Sequence, residues 1–316
     1  MRLRCTGKLK KNQKDSKYNM KKISKKRLKK LSKSQNKTIK LDKIEICDFG
    51  KMNMNFSNIY LTRSHLKLLR LKDCTVRNCS FTQSIISDDS YLRHAKFVNV
   101  DFTGTLFRDT NLEKAEFLNC NMKYVRFENC LLNCDSIIKN SLPVESNLKL
   151  GVLNQLYKNE ISNGNTEKAD EILYLIRDAE RKESWDILTS SEEYFRETRK
   201  NNVLKYFGKY LIASWDKYIW GYGLRVKQIL VTMIIVVVLF AVIYFLFLFS
   251  SDQAFITRIE NSFLTSVNAI LIGNLDIGKK EIEKKNFFQA VVLVQNGIGI
   301  LYFALITSAV YRRIAR

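Results

Sequence analysis

Proline is almost missing from this chain: 316 residues contain one, Pro143. Histidine is nearly as scarce, with only His65 and His94, which leaves little from which to build a histidine metal site or a catalytic triad. There is no glycine-rich phosphate loop, no Cys/His set at metal-ligand spacing and no nucleophile motif. Neither an enzyme nor a cofactor is therefore expected. Cysteine is present, but seven is an odd number and the seven are spread through a long chain, which argues against a secreted disulfide scaffold. Acidic residues are in short supply, with 31 Asp+Glu against 53 Lys+Arg and a formal net charge of +22. That balance points first to nucleic acid or to an anionic membrane surface.

The excess charge is local. Residues 1–43 hold 18 Lys/Arg and only Asp15 and Asp42, a net of +16, so the other 273 residues carry +6. No apolar segment follows the first basic residues, so a secretory signal is not expected. This arm is too charged to bury a face and is expected to be disordered. It reads as a solvated tail, or as a lipid-surface segment through Lys25, Lys26, Arg27, Lys29 and Lys30. Nucleic acid is an unlikely partner, because Tyr18 is the arm's one aromatic residue and base stacking is poorly supplied.

The next hundred residues repeat every five. Phe56, Leu61, Leu66, Leu71, Val76, Phe81 and Ile86 lie five apart. After a one-residue slip between Ser87 and Tyr91, Leu92, Phe97, Phe102, Phe107, Leu112, Phe117, Met122, Phe127, Leu132 and Ile137 continue the spacing. All 17 positions are apolar, where the 46% hydrophobic composition would supply about eight. A mostly small residue sits two positions earlier, as at Cys74, Cys79, Ser84, Ser90, Ala95, Thr105, Ala115, Cys120 and Cys130. Period five fits neither a helix nor a strand; it fits a coil that turns a corner every five residues. The segments Ala95-Lys96-Phe97-Val98-Asn99 and Ala115-Glu116-Phe117-Leu118-Asn119 resemble the A-(D/N)-L-x-x unit of the pentapeptide-repeat family. The resemblance implies a right-handed quadrilateral β-helix of roughly four turns over 44–140. The cysteines at the small position read as core packing. With 13 basic and 11 acidic groups over 44–140, the coil is close to neutral, so mimicry of DNA is not expected.

Residues 148–228 change to helical spacing. Leu148, Leu150, Leu153, Leu156 and Tyr157 form one apolar face, and Ala169, Ile172, Leu173, Ile176 and Ala179 another, with Asn163-Gly164-Asn165 as the turn between them. Trp215, Tyr218, Trp220 and Tyr222 then suit either a headgroup layer or ordinary core packing. Ile229 to Ser250 is 22 residues without charge, and Asn286 to Tyr311 is a second uncharged run; both are long enough to cross a bilayer. Arg225 and Lys227 precede the first, and Arg312, Arg313 and Arg316 follow the second, while 251–287 is charge-balanced. Both ends are therefore expected on the cytoplasmic side of the cell membrane.

Between the spans, Ile259 to Ile272 is apolar, too short to cross, and followed by Gly273. The layout of span, short re-entrant helix, irregular segment and span resembles the two-transmembrane pore module of the potassium-channel superfamily. On that resemblance the spans are 229–250 and 287–311, and the pore loop is 259–278. The filter positions fall at Asn268, Leu271, Ile272, Gly273, Asn274, Leu275 and Asp276. Gln295, Asn296, Gly297 and Gly299 sit on the pore-lining helix, with either glycine as a bending point. Tyr222-Gly223-Leu224-Arg225 is similar to the juxtamembrane motif of the bacterial pentapeptide-repeat ion channels, whose architecture the chain resembles over 44–316.

The filter departs from the T-V-G-Y-G pattern: Leu271 stands for the threonine, Asn274 for the tyrosine and Leu275 for the second glycine. Potassium filters present backbone carbonyls to the ion, and a leucine in the left-handed region costs about 1–2 kcal/mol. The expectation is a cation pore without potassium selectivity, or a closed loop. The multidomain reading is thus a basic arm (1–43), a repeat β-helix (44–140), a helical adapter (148–228) and a two-span pore domain (229–316). It predicts a homotetrameric ion channel in the bilayer, with the coil as sensor or as docking site for a protein partner. A membrane-tethered scaffold and a triggered membrane-permeabilising effector are the alternatives.

Overall fold

Parallel strands pair at intervals of one turn. Ile39 lies opposite Ile59, Glu45 opposite His65, Phe56 opposite Val76, and Lys96 opposite Glu116. Each turn therefore takes twenty residues, or four repeats of five. The strands of successive turns stack into four parallel sheets, one per face of the coil. The computed structural model describes residues 20–22, 38–50, 52–190, 193–200, 202–248, 254–271 and 285–314. It divides into two units at Asn163–Gly164.

The first unit is a β-solenoid of about five turns, with strands from Ile39–Asp42 to Leu131–Leu132. It begins earlier than the expected boundary at 44, and a further strand at Lys21–Lys22 pairs with Ile44–Glu45. Part of the basic arm thus belongs to the coil edge; Lys25, Lys26, Arg27, Lys29 and Lys30 lie outside the described residues. From Phe56 to Phe127 each corner is turned by a residue in the left-handed region, two places after the inward apolar residue: Asn58, Asp73, Asn78, Asn99, Asp109, Asn119 and Asn129 among them. Asn and Asp tolerate this conformation better than other side chains. At the slip, Asp88 and Asp89 both have positive φ. The extra residue is absorbed in one corner, and the pairing offset across it becomes 21, as in Lys96 opposite Thr75.

The inward residues fill the coil. Of the 17 period-five positions all but Leu132 are buried. Rings stack one turn apart, Phe97 on Phe117 with centroids at 5.1 Å and Phe107 on Phe127 at 5.4 Å. Each such burial contributes about 1.5–3 kcal/mol. The small position has a second use. Ser64 Oγ accepts from the Ile44 amide at 3.3 Å and Ser84 Oγ from the Ser64 amide at 3.0 Å, both one turn away. On the outside, charges pair from turn to turn, as in Lys96–Glu116 at 2.9 Å and Arg108–Glu128 at 2.7 Å. Near-neutrality of the coil is thus a consequence of stacked opposite charges.

The strands stop at Leu132 rather than reaching 140. Cys134–Asn140 is a helix, α1, which still buries Ile137 in the repeat register. A second helix, α2 (Ser146–Ser162), follows. It was expected to open the adapter, but it belongs to the coil unit and packs on its last turn.

The second unit is helical: α3 (Thr166–Thr189), α4 (Glu193–Arg199), α5 (Val203–Trp215), α6 (Val226–Phe247), α7 (Phe255–Leu271) and α8 (Lys285–Ile314). The cap of α3 is Asn165, whose side chain accepts from the Lys168 amide. Ala169, Ile172, Ile176 and Ala179 form its buried face, as the spacing predicts.

Candidate functional site

Helices α6 and α8 are long and apolar enough to cross a membrane, over Val226–Phe247 and Phe287–Tyr311. Between them in sequence, α7 is shorter, 17 residues or about 25 Å at the helical rise. It packs against both, and α6 also packs on α8.

Polar side chains join the three helices. Gln295 of α8 is fully buried; its amide donates to the Ser266 carbonyl at 2.9 Å and Ser266 Oγ at 2.8 Å, while its oxygen accepts from the Tyr244 hydroxyl at 2.7 Å. Ser266 of α7 in turn donates to the Val237 carbonyl of α6 at 2.7 Å. In an apolar surrounding an unpaired amide would be costly, and here each of these groups is partnered. Asn296 adds a donation to the Ala269 carbonyl at 3.3 Å. Gly299 is buried, and a Cβ on it would collide with the Ile270 carbonyl and come within 2.8 Å of the Ile270 side chain. The glycine therefore permits α7 and α8 to approach closely.

The expected pore positions separate on this geometry. Asn268 and Leu271 are exposed on the last turns of α7. Ile272, Gly273, Asn274, Leu275 and Asp276 lie outside the described residues. Gln295 faces into the three-helix packing, Asn296 is half-buried, and Gly297 is exposed with open space around it. Helix α8 runs without interruption through both glycines. Tyr244 and Ser266 were not singled out from sequence; the available signal was a lone polar group within a long apolar run.

A tight elbow joins α5 to α6. Asp216–Trp220 forms a π-helical turn and Gly221–Gly223 a 3-10 turn. Gly221, Tyr222 and Gly223 all have positive φ, 56°, 58° and 66°. For Tyr222 this is an uncommon conformation. Its ring meets Tyr174 of α3 edge-on at 5.3 Å, and Arg225 lies over Tyr174 at 3.8 Å. Burial pushes the Tyr222 hydroxyl up to about 12. Burial also pushes the Asp178 carboxyl upward, but hydrogen bonds from Lys217 at 2.7 Å and Arg181 at 3.1 Å outweigh it and hold the group below its ordinary value. Gln228 donates to the Lys217 and Tyr218 carbonyls, and Thr232 to that of Ile219. The Tyr222–Arg225 segment thus closes the elbow before the first long apolar helix and packs on Tyr174 of α3.

In the coil, burial raises the thiols of Cys79, Cys120 and Cys130 to about 11. Among the described residues no group of three or more His, Cys, Asp or Glu is placed to hold a metal ion.

Four-faced stacking at twenty residues per turn defines a pentapeptide-repeat solenoid. The model of pentapeptide repeats matches residues 89–133 as eight copies. Among solved structures the chain is similar to HetL, a pentapeptide repeat protein involved in heterocyst differentiation regulation from the cyanobacterium Nostoc sp., at 18% identity with a TM-score of 0.15. That likeness covers 33% of this chain and 48% of HetL, so it spans about half of HetL's length. No curated protein matches the chain.

Proposed function

We propose that the chain is one subunit of a homotetrameric, cation-conducting membrane channel of potassium-channel-like architecture, with the repeat coil as a cytoplasmic sensing or docking rod. The reading is non-enzymatic. The observation that carries it is the docking of short helix α7 on both long apolar helices through Ser266, Gln295 and Tyr244. A mere tether needs no third helix between its spans, whereas a pore loop needs one held at fixed depth.

Exposure supports the membrane part of the reading. Leu239 and Ile234 of α6 and Leu293 and Ile300 of α8 are exposed by half or more. A helix apolar around its whole circumference requires a solvent other than water. One subunit with two spans cannot enclose a pore, so several must assemble. Because Leu271, Asn274 and Leu275 replace residues of the T-V-G-Y-G pattern, the proposed conduction does not select potassium.

The mass of the detergent-solubilised chain tests the assembly. A particle of four copies of the 36.9 kDa chain is expected. A stable monomer would overturn the channel and leave a tethered scaffold.

A further inference from the structure

Helix α5 turns its most apolar face away from its own protein. Leu204 is 86% exposed, Ile212 73% and Trp215 64%, and Phe207 and Leu211 are exposed as well. At 100° per residue these five side chains fall on one side of the helix. The opposite side is the one in contact with α3, where Tyr210 meets Trp185 at 4.8 Å and Arg181 lies over the Tyr210 ring. Lys205 and Lys209 are exposed along one edge of the apolar stripe; the segment before the helix is mixed, with Glu193 and Glu197 beside Arg196 and Lys200. After Trp215 only the elbow separates α5 from Val226, the first residue of an apolar helix that is itself long enough to cross a membrane.

We infer that α5 is an interfacial helix that lies in the headgroup layer of an anionic bilayer. Leu204, Leu211, Ile212 and Trp215 enter the acyl boundary, and Lys205 and Lys209 contact lipid phosphates. The inference rests on the membrane reading of α6 and α8. A bilayer is favoured over a second copy or another protein for two reasons. The exposed stripe ends at Trp215, one elbow in sequence before α6, whose own apolar side chains are exposed. The flanking charge on the exposed edge is of one sign, complementary to acidic headgroups, as in helices that bind in the plane of the interface.

Depth-resolved quenching in full-length protein tests it. In vesicles of phosphatidylcholine with phosphatidylglycerol, the Trp185→Tyr/Trp220→Phe chain keeps Trp215 as its reporter. Bromine near the top of the acyl chain should quench it about twofold more than bromine at the chain end, because an interfacial helix sits about 5–10 Å deep. A Trp215→Phe chain, which keeps the other two tryptophans, should lose that shallow component. Lys205→Glu/Lys209→Glu should abolish the difference between vesicles with and without phosphatidylglycerol.

Leu239→Trp on α6 serves as the membrane control. If this tryptophan is quenched from the chain end while Trp215 is not quenched from any depth, the interfacial assignment is overturned and the spans stand. That outcome includes a Trp215 shielded by a second copy or another protein. If neither residue is quenched, the membrane reading falls and the inference with it. Equal Trp215 quenching with and without phosphatidylglycerol would overturn the phosphate contacts.

Discussion

The side-chain amide of Asn159 holds both backbone groups of Cys130: its oxygen accepts from the Cys130 amide at 2.9 Å and its nitrogen donates to the Cys130 carbonyl at 2.8 Å. It supplies to the last coil turn the pair of hydrogen bonds that the next turn would have made. Ser136 and Ser141 do the same for the Phe117 and Cys120 amides, at 2.7 and 3.0 Å. The end of a parallel coil is an exposed edge, and helices α1 and α2 close it with side chains.

Asn159→Ala should therefore cost about 1–3 kcal/mol, the range for leaving one buried amide unpaired, since the Cys130 carbonyl keeps its bond from the Asn163 side chain at 2.7 Å. The loss should be confined to the last turns, because each turn contacts only its neighbours. Hydrogen exchange read along the coil would show faster exchange around Cys130 and unchanged protection near Phe81. Uniform loss along the coil would contradict this.

The two glycines of α8 should behave oppositely. Gly299→Ala places a methyl group against the Ile270 carbonyl and should destabilise the α7–α8 packing by about 1–3 kcal/mol, as overpacking does. Gly297→Ala meets nothing within 4 Å and should be neutral in the isolated subunit. Thermal stability in detergent checks both, and a cost at 297 without one at 299 would reverse the assignment.

Gln295→Leu removes the bonds to Tyr244 and Ser266 together. Hydrogen bonds between helices within apolar surroundings contribute about 0.6–2 kcal/mol each. A drop of that size is expected, with Tyr244→Phe giving a smaller one because the Ser266 bond survives. Equal stability of all three chains would mean that the network does not position α7.

Thiol chemistry should follow burial. Cys47 is exposed, whereas Cys79, Cys120 and Cys130 are buried with thiols raised to about 11. In a Cys5→Ser chain at neutral pH, an alkylating reagent should modify Cys47 and spare those three until the chain is denatured. Because these thiols hold their protons more tightly when folded, their contribution to stability is complete below the ordinary value of 9.0 and is lost as pH rises toward 11. Replacing the three by Ala should flatten the fall in stability across that window. A fall just as steep in the Ala variant would assign it to other groups.

The coil was legible because one period fixes both its inward residues and its corners. Met54, Ile59 and Leu69 stand where later repeats have a small residue, and the family match begins only at 89. Pairing at twenty residues nevertheless carries the same coil back to Ile39. The far boundary was misplaced because Ile137 keeps the register while its backbone is helical, and an apolar residue every fifth place does not state which backbone supplies it. Asn159 carried no signal, since a single asparagine on a helix reads as a solvated one. The three-helix network joins residues 51 and 29 apart, a relationship that only the folded helices bring together. The two long apolar helices were plain from length and charge.

Current across a planar bilayer containing the purified full-length chain tests the channel most directly. The account predicts discrete steps whose reversal potential follows the cation gradient, without strong preference for potassium, and which Asp276→Asn reduces. Bilayers that contain the assembled tetramer yet pass no current at any voltage, with neutral or anionic lipid, would contradict it.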